Sequence, residues 1–515
     1  MRHRRYTVAL ALAVVTAAVL TAAAARAQGV TVPRLTAVDR ATYEALKVQA
    51  EHDPAAQVPD RILDAEAPQP AIPHVVTSFL GLNRPGAANS GFVFVPPDPI
   101  VGKSFTRVLE AANSAVRLHT TTGAVLDTKS LNVFFGVAPA GSSGLLFDPK
   151  VYFDRLGVNR RFYVVALEMR EAPRVSRIHV GVSRSADPSN LGPAGWCRYA
   201  IDGRRNAGTA RDSWADYEGL GVGVDKLVIT ANQFTFSSGS FTYAIIRVLN
   251  KLVLANNAAG CPALPFVFTF QPSAAAGNGA VFTLQPVQHA LAPASAPGVS
   301  NPVYLVNTIF GTSNVYRVWR VRNFPPSLQG PVNVQGNLYG NPPNARQKGS
   351  ALLLDTGDTR VTQASAAQTI GIVGVHSTLC NVGGGPTESC VRAVLIKVGS
   401  GGGGSLIASM FDQFTLGLAP GDFLFWPGVA DTRRDVGIGF HKSSPTSFLS
   451  SFVSVGSTLI PLTVGNCPQT TNRTGDYFGV QPDPVDLQSI WFAGERATVV
   501  GGRCQWEMRI IKVVQ

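Results

Sequence analysis

From Val75 onward, apolar and polar residues alternate with a period of two, in short runs separated by Gly, Pro, Asn and Asp. That is the signature of half-buried strands joined by tight turns. The runs come in neighbouring pairs, which predicts hairpins. The pairs are Arg107 to Leu109 with Ala115 to His119, Phe162 to Glu168 with Arg177 to Arg184, and Leu227 to Ala231 with Tyr243 to Leu249. They continue with Val303 to Val306 and Val315 to Val321, Ile370 to Ser377 and Arg392 to Val398, Val436 to Lys442 and Phe448 to Val455, and Ile490 to Gly494 and Trp506 to Val513. Nothing in this stretch has a convincing helical period, so the pattern predicts an all-β fold.

The segment before Val75 reads differently. Between Thr36 and Ala50, Val38, Tyr43, Leu46 and Val48 fall loosely on one helical face, with Thr36 able to cap it. Five prolines follow between Asp53 and Pro73. The pattern predicts a short helix on a proline-rich linker.

The stretch Trp214-Ala-Asp-Tyr-Glu-Gly-Leu-Gly-Val-Gly-Val-Asp-Lys-Leu-Val-Ile-Thr-Ala-Asn-Gln-Phe234 reads as an Asp-centred turn and two strands. A cousin begins at Gly475-Asp-Tyr, and looser ones stand at Phe147-Asp-Pro and Pro97-Asp-Pro99. Comparable turns fall near Asp98, Asp148, Asp216, Pro286, Asp355, Pro427 and Asp476, at spacings of 50, 68, 70, 69, 72 and 49 residues. Each interval holds about four strands. Repetition on this scale predicts a β-propeller of four-stranded blades. A single blade cannot bury both faces, so the blades must stack in a ring. Seven turns point to seven blades; the Asp signature is clear in only four, which leaves six or eight open. The isolated strand Val75 to Leu82 is expected to close the ring beside Trp506 to Val513 and remove an exposed sheet edge.

These turns, with Asp483-Pro and Trp491, resemble secreted bacterial β-propeller proteins of the sialidase-like superfamily over residues 75–515. The resemblance implies architecture. The Ser-x-Asp-x-Gly-x-Thr-Trp boxes of sialidases are absent, and no catalytic residue carries over.

Composition refines this picture. With 51 Gly, 35 Pro and 45% hydrophobic residues the chain is turn-rich and well buried, not disordered. Arg2, Arg4 and Arg5 precede an apolar, Ala-rich run from Val8 to Ala25, and Ala25-Arg26-Ala27 fits a cleavage site. The expected organisation is a signal peptide (1–27), an N-terminal helix and linker (28–74) and a propeller (75–515). It implies a secreted, periplasmic or cell-surface monomer with no membrane span after cleavage. Losing the four leader arginines lowers the formal charge from +12 to +8. This suits an anionic polysaccharide or envelope component. No basic run interleaved with aromatics suggests nucleic acid. All six cysteines lie in the exported part, and nearest-neighbour pairing gives Cys197–Cys261, Cys380–Cys390 and Cys467–Cys504.

Candidate chemistry gathers at the Asp turns. If Asp98, Asp148, Asp216 and Asp476 are equivalent, they ring one mouth of the channel. Such a ring raises some carboxyl pKa values or recruits a cation such as Ca²⁺. The bland alternative is that each Asp accepts backbone N–H groups and fixes its turn. Asp216 and Glu218 are two apart in a strand, so both should face one way and could serve as acid and base in glycosyl chemistry. Trp214 and Tyr217 beside them could stack on a sugar or pack between blades. The tract Gly399-Ser-Gly-Gly-Gly-Gly404 lies between two strands and reads as a connection, because a dinucleotide loop must lead into a helix. No nucleophile elbow, HExxH, Walker or EF-hand pattern occurs. The reading that results is an exported ligand-binding or interaction module, possible ligands being carbohydrate or envelope polymer. The alternative is a glycoside hydrolase or lyase with mouth carboxylates.

Overall fold

A computed structural model describes residues 30–31, 34–63, 73–84, 87, 94–137, 145–155, 159–206, 209–272, 280–288, 302–367, 370–432 and 434–515. The expected leader lies outside the described residues. Seven four-stranded antiparallel blades follow one another along the chain, at 100–130, 145–202, 213–270, 285–339, 363–417, 423–463 and 479–514. Each of the seven hairpins expected from alternation forms the middle pair of a blade. The first strand of every blade touches that of the next, and the first strand of blade 7 touches that of blade 1. The molecule is thus a closed seven-bladed propeller.

Closure is made by the head of the chain. Strand His74–Asn83 is the outermost strand of blade 7 and pairs antiparallel with Arg503–Val514. Leu82 N–H also donates to Glu110 Oε2 in blade 1 at 2.9 Å, and His119 Nε2 sits 2.7 Å from Glu110 Oε1. The closing strand is therefore fastened to both blades that meet at the seam.

Hydrophobic burial lies between blades, because each sheet must cover two apolar faces. One cluster fills each interface: Leu109, Val116, Val151 and Phe162 join blades 1 and 2, and Val101, Val108, Trp491 and Trp506 join blades 7 and 1. The other five interfaces carry comparable clusters. Each fully buried large side chain contributes about 1.5–3 kcal/mol. Near the axis the inner strands come so close that some positions exclude a Cβ. One added at Gly428 would stand 2.4 Å from Phe478 O, and one at Gly479 would stand 2.8 Å from Val101 N.

The channel is crossed by glutamine side chains. Gln481 of blade 7 accepts from Lys103 N at 3.1 Å and donates to Phe153 O at 3.2 Å. Gln363 of blade 5 donates to Gln288 Oε1 and Val480 O, both at 3.0 Å. The three expected disulfides are all formed. The tract around Gly402–Gly404 is a hairpin connection in blade 5, as its composition suggested; Gly404 O accepts from Arg320 at 2.6 Å and Arg322 at 2.8 Å.

The N-terminal helix spans Arg40–Ala50. Its cap is Asp39, whose Oδ1 accepts from Thr42 N at 3.0 Å, and not Thr36, whose hydroxyl donates to Val38 O. Its buried face is Tyr43, Lys47 and Ala50, while Val48 is exposed. Polar contacts rather than the apolar stripe decide how it docks. No helix among the described residues is long and apolar enough to cross a membrane.

Candidate functional site

The opening turns are built by left-handed backbone at residues other than glycine. Asp98, Asp148, Tyr217, Thr283 and Trp426 have φ between 49° and 53°. Asp and Asn tolerate this region best, and a Tyr or Trp there is held only by its surroundings. The four aspartates are therefore not strictly equivalent. Asp98 and Asp148 occupy the left-handed position itself. Asp216 stands one residue before it, with Tyr217 taking the strained conformation. Asp476 also precedes a tyrosine, but Tyr477 does not take the left-handed conformation.

All six expected mouth residues, Asp98, Asp148, Trp214, Asp216, Tyr217 and Asp476, nevertheless line one cavity of about 100 Å³. Phe147, Met169, Asn113, Arg360 and Arg473 complete its propeller walls, and Arg34 and Leu35 of the N-terminal segment close it from above. Trp214 is half-buried, with its ring 6.1 Å from Phe147 in an edge-on arrangement.

The alternation expected to put Asp216 and Glu218 on one face is broken by a bulge. Asp216 pairs with Asn232 but Gly219 with Thr230, so two residues oppose one. As a result Asp216 and Tyr217 both line the cavity. Glu218 is fully buried behind it, with neither carboxyl oxygen hydrogen-bonded among the described residues. Lys150 is its nearest compensating charge; burial lowers that lysine to about 8, with Glu218 opposing the fall. Lys150 Nζ also stands 2.8 Å from the centre of the Tyr477 ring.

The carboxyl groups are driven to different protonation states. Burial, then Asp476 and Asp148, push Asp98 well above the usual range. Burial and Asp476 raise Asp148 to about 6. Asp98 holds its proton to higher pH and donates to Asp148 in their side-chain hydrogen bond. Asp216 is raised by burial and by Asp148, and Glu218 by burial and Asp148. Burial acts on Asp476 too, but Arg34 and Arg473 outweigh it and hold that carboxylate ionised. Arg34 Nη2 donates to Asp476 Oδ1 at 2.9 Å, and Arg473 Nη2 donates to both oxygens at 2.8 Å. The Asp476 N–H in turn donates to Asp98 Oδ1 at 2.6 Å. The site thus holds carboxyls raised to different extents beside one fixed carboxylate.

The bland role anticipated for these aspartates is present as well. Asn113 is hydrogen-bonded to Asp98, and its Oδ1 accepts from Asp148 N at 2.6 Å. Asp216 differs: no hydrogen bond to its carboxyl exists among the described residues. The cations of the ring are guanidinium groups. Among the described residues no group of three His, Cys, Asp or Glu side chains is placed to hold a metal ion.

Several contributors escaped the sequence reading. Arg34, Arg360 and Arg473 are buried in the cavity lining, and Tyr43, Lys47 and Asp355 are buried in the contact between the N-terminal segment and the propeller. Asp355 was recognised as a turn but not as part of the site. The signal for Arg473 was its place three residues before Asp476; for Arg34 and Tyr43 none existed, because their partners lie more than 300 residues away.

No protein family and no curated protein matches the sequence. Among solved structures, Trypanosoma rangeli sialidase in complex with sialic acid is 8% identical, with a TM-score of 0.34 over 77% of this chain and 57% of that one. The chain therefore spans little more than half of the sialidase's length. The GH93 α-L-arabinofuranosidase of Fusarium graminearum with arabinobiose is 10% identical, with a TM-score of 0.32 over 89% of this chain and 98% of that one. A thermostable family-43 glycoside hydrolase is 13% identical, with a TM-score of 0.27 over 69% and 96%. Likeness at these values does not extend to side chains or activity.

Proposed function

We propose that the chain is an exported propeller that binds a carbohydrate at the acidic mouth. The observation that carries this reading is the convergence of Asp98, Asp148, Asp216 and Asp476 with Trp214 and Phe147 about one cavity. Carboxyl groups in mixed protonation states both donate to and accept from vicinal hydroxyls, and half-buried aromatic faces stack on the apolar face of a sugar ring. The cavity's 100 Å³ is room for about three waters, given about 30 Å³ each. It suits the edge or one substituent of a ring that lies over Trp214. Three disulfides support export to an oxidising compartment.

An array of envelope and plant cell-wall oligosaccharides, probed with the full chain, tests this. At least one glycan should be retained, and Trp214→Ala and Asp216→Asn should each weaken its binding ten-fold or more. Asp216→Asn breaks no hydrogen bond among the described residues, so its effect reports on the ligand. Retention of no glycan, or retention indifferent to both substitutions, overturns the reading.

The split between Asp98, pushed well above the usual range, Asp148, raised to about 6, and ionised Asp476 favours a second reading, a glycoside hydrolase. Acid and base roles are assigned where environments push carboxyl pKa values apart. In the same experiment, turnover of the retained glycan that is lost in Asp148→Asn decides for hydrolysis; binding without turnover decides for a lectin-like role.

A further inference from the structure

The N-terminal segment is held as a bound peptide is held. Val30–Thr31 pairs in parallel with Phe94–Val95, a main-chain contact of the strand-addition kind. Arg34 then drops into the mouth. Its Nε donates to Asp355 Oδ2 at 2.7 Å, its Nη2 to Asp476 Oδ1 at 2.9 Å, and its guanidinium lies 4.0 Å over the Trp426 ring. The three walls of this cradle come from the openings of blades 5, 7 and 6. Two carboxylates and an aromatic face are what a guanidinium requires. Among the described residues, Nη1 of Arg34 has no hydrogen-bond partner. Tyr43 OH adds a 2.8 Å bond to the other oxygen of Asp355, and Lys47 Nζ donates to Thr356 Oγ1 at 2.7 Å and Gly357 O at 2.6 Å. The ring needs none of this, because the strand His74–Asn83 already closes it.

We propose that Asp355, Asp476 and Trp426 form a recognition site for an arginine-bearing peptide, and that residues 30–50 are its occupant in cis. Its ligand class is an extended segment with one arginine followed by a short helix carrying Tyr and Lys. A peptide of that chemistry supplied in trans exchanges with the cis segment. The site shares Asp476 and Arg34 with the cavity assigned to the glycan, whereas Asp355 and Trp426 lie outside it, so Asp355→Asn tests peptide binding separately from carbohydrate binding.

The test uses a fluorescein-labelled peptide of residues 30–50 and the full chain. The Arg34→Ala/Tyr43→Ala/Lys47→Ala chain, with its cis segment weakened, should bind the peptide saturably and at least ten-fold more tightly than wild type. A peptide carrying Arg34→Ala should fail to compete, and Asp355→Asn in the chain should weaken binding ten-fold. Hydrogen exchange on the wild type guards against misfolding of the variant: saturating peptide should speed amide exchange across residues 40–50 at least ten-fold. Equal binding of the two peptides, or exchange rates unchanged by saturating peptide, overturns the proposal.

Discussion

Glu495 shows how far burial sets the behaviour of single residues here. Its Oε1 accepts the Gly475 N–H, its Oε2 has no hydrogen-bond partner among the described residues, and burial, with Asp476 behind it, raises it to about 8. A carboxyl whose folded pKa is raised stabilises the fold while protonated, and that contribution is lost as pH rises towards the folded value. Wild-type stability should therefore fall between about pH 4.5 and pH 8 on account of this group. Glu495→Gln keeps the acceptor for Gly475 and cannot ionise. Denaturant melts should find the variant close to wild type at pH 5 and more stable at pH 9, by on the order of a few kcal/mol. An equal difference at both pH values would mean the carboxyl is already ionised when buried. The aspartates of the mouth were legible in the sequence as residues, because Asp before Pro or Tyr marks a turn. Their protonation was not. Asp476 is ionised because of Arg34, 442 positions earlier, and no local pattern announces that pairing.

At the scale of elements, alternation located all seven hairpins and the closing strand, since a period of two is a local property. The bulge at Tyr217 and Glu218 was illegible, because it answers to the crowding of inner strands about the axis. The N-terminal helix was legible, but its cap and buried face were not, for a related reason. Its apolar stripe is weak, and the face it buries includes Lys47, whose partners Thr356 and Gly357 lie in the turn that leads into blade 5. The seam is the element with the clearest energetic signature. Glu110→Ala leaves the Leu82 N–H without its acceptor and His119 Nε2 without its partner. Each orphaned buried group costs about 1–3 kcal/mol, so unfolding free energy should drop by about 2–6 kcal/mol. Glu110→Gln, which can accept from Leu82 and donate to His119, should recover most of it. Equal losses in the two variants would show that packing, not hydrogen bonding, holds the seam.

For the whole molecule, the disulfides brace a ring already shut by pairing. Chain entropy makes a cross-link worth more as its loop lengthens. Cys197–Cys261 spans 64 residues and Cys380–Cys390 spans 10. Replacing the first pair by serine should cost about 4 kcal/mol and the second about 3 kcal/mol, read as shifts in denaturation midpoint. The reverse order would locate the benefit of the short bridge in the folded hairpin itself.

Joining head to tail also orders events in time. His74 pairs with Val514, so the first strand of the ring waits, with one edge bare, for the ring's last. A nascent or partly exported polypeptide carries an open sheet at each end, and a shortened product never loses them. Biogenesis should therefore lean on a holding factor until the final strand arrives, and premature truncation should yield aggregates rather than smaller, working rings.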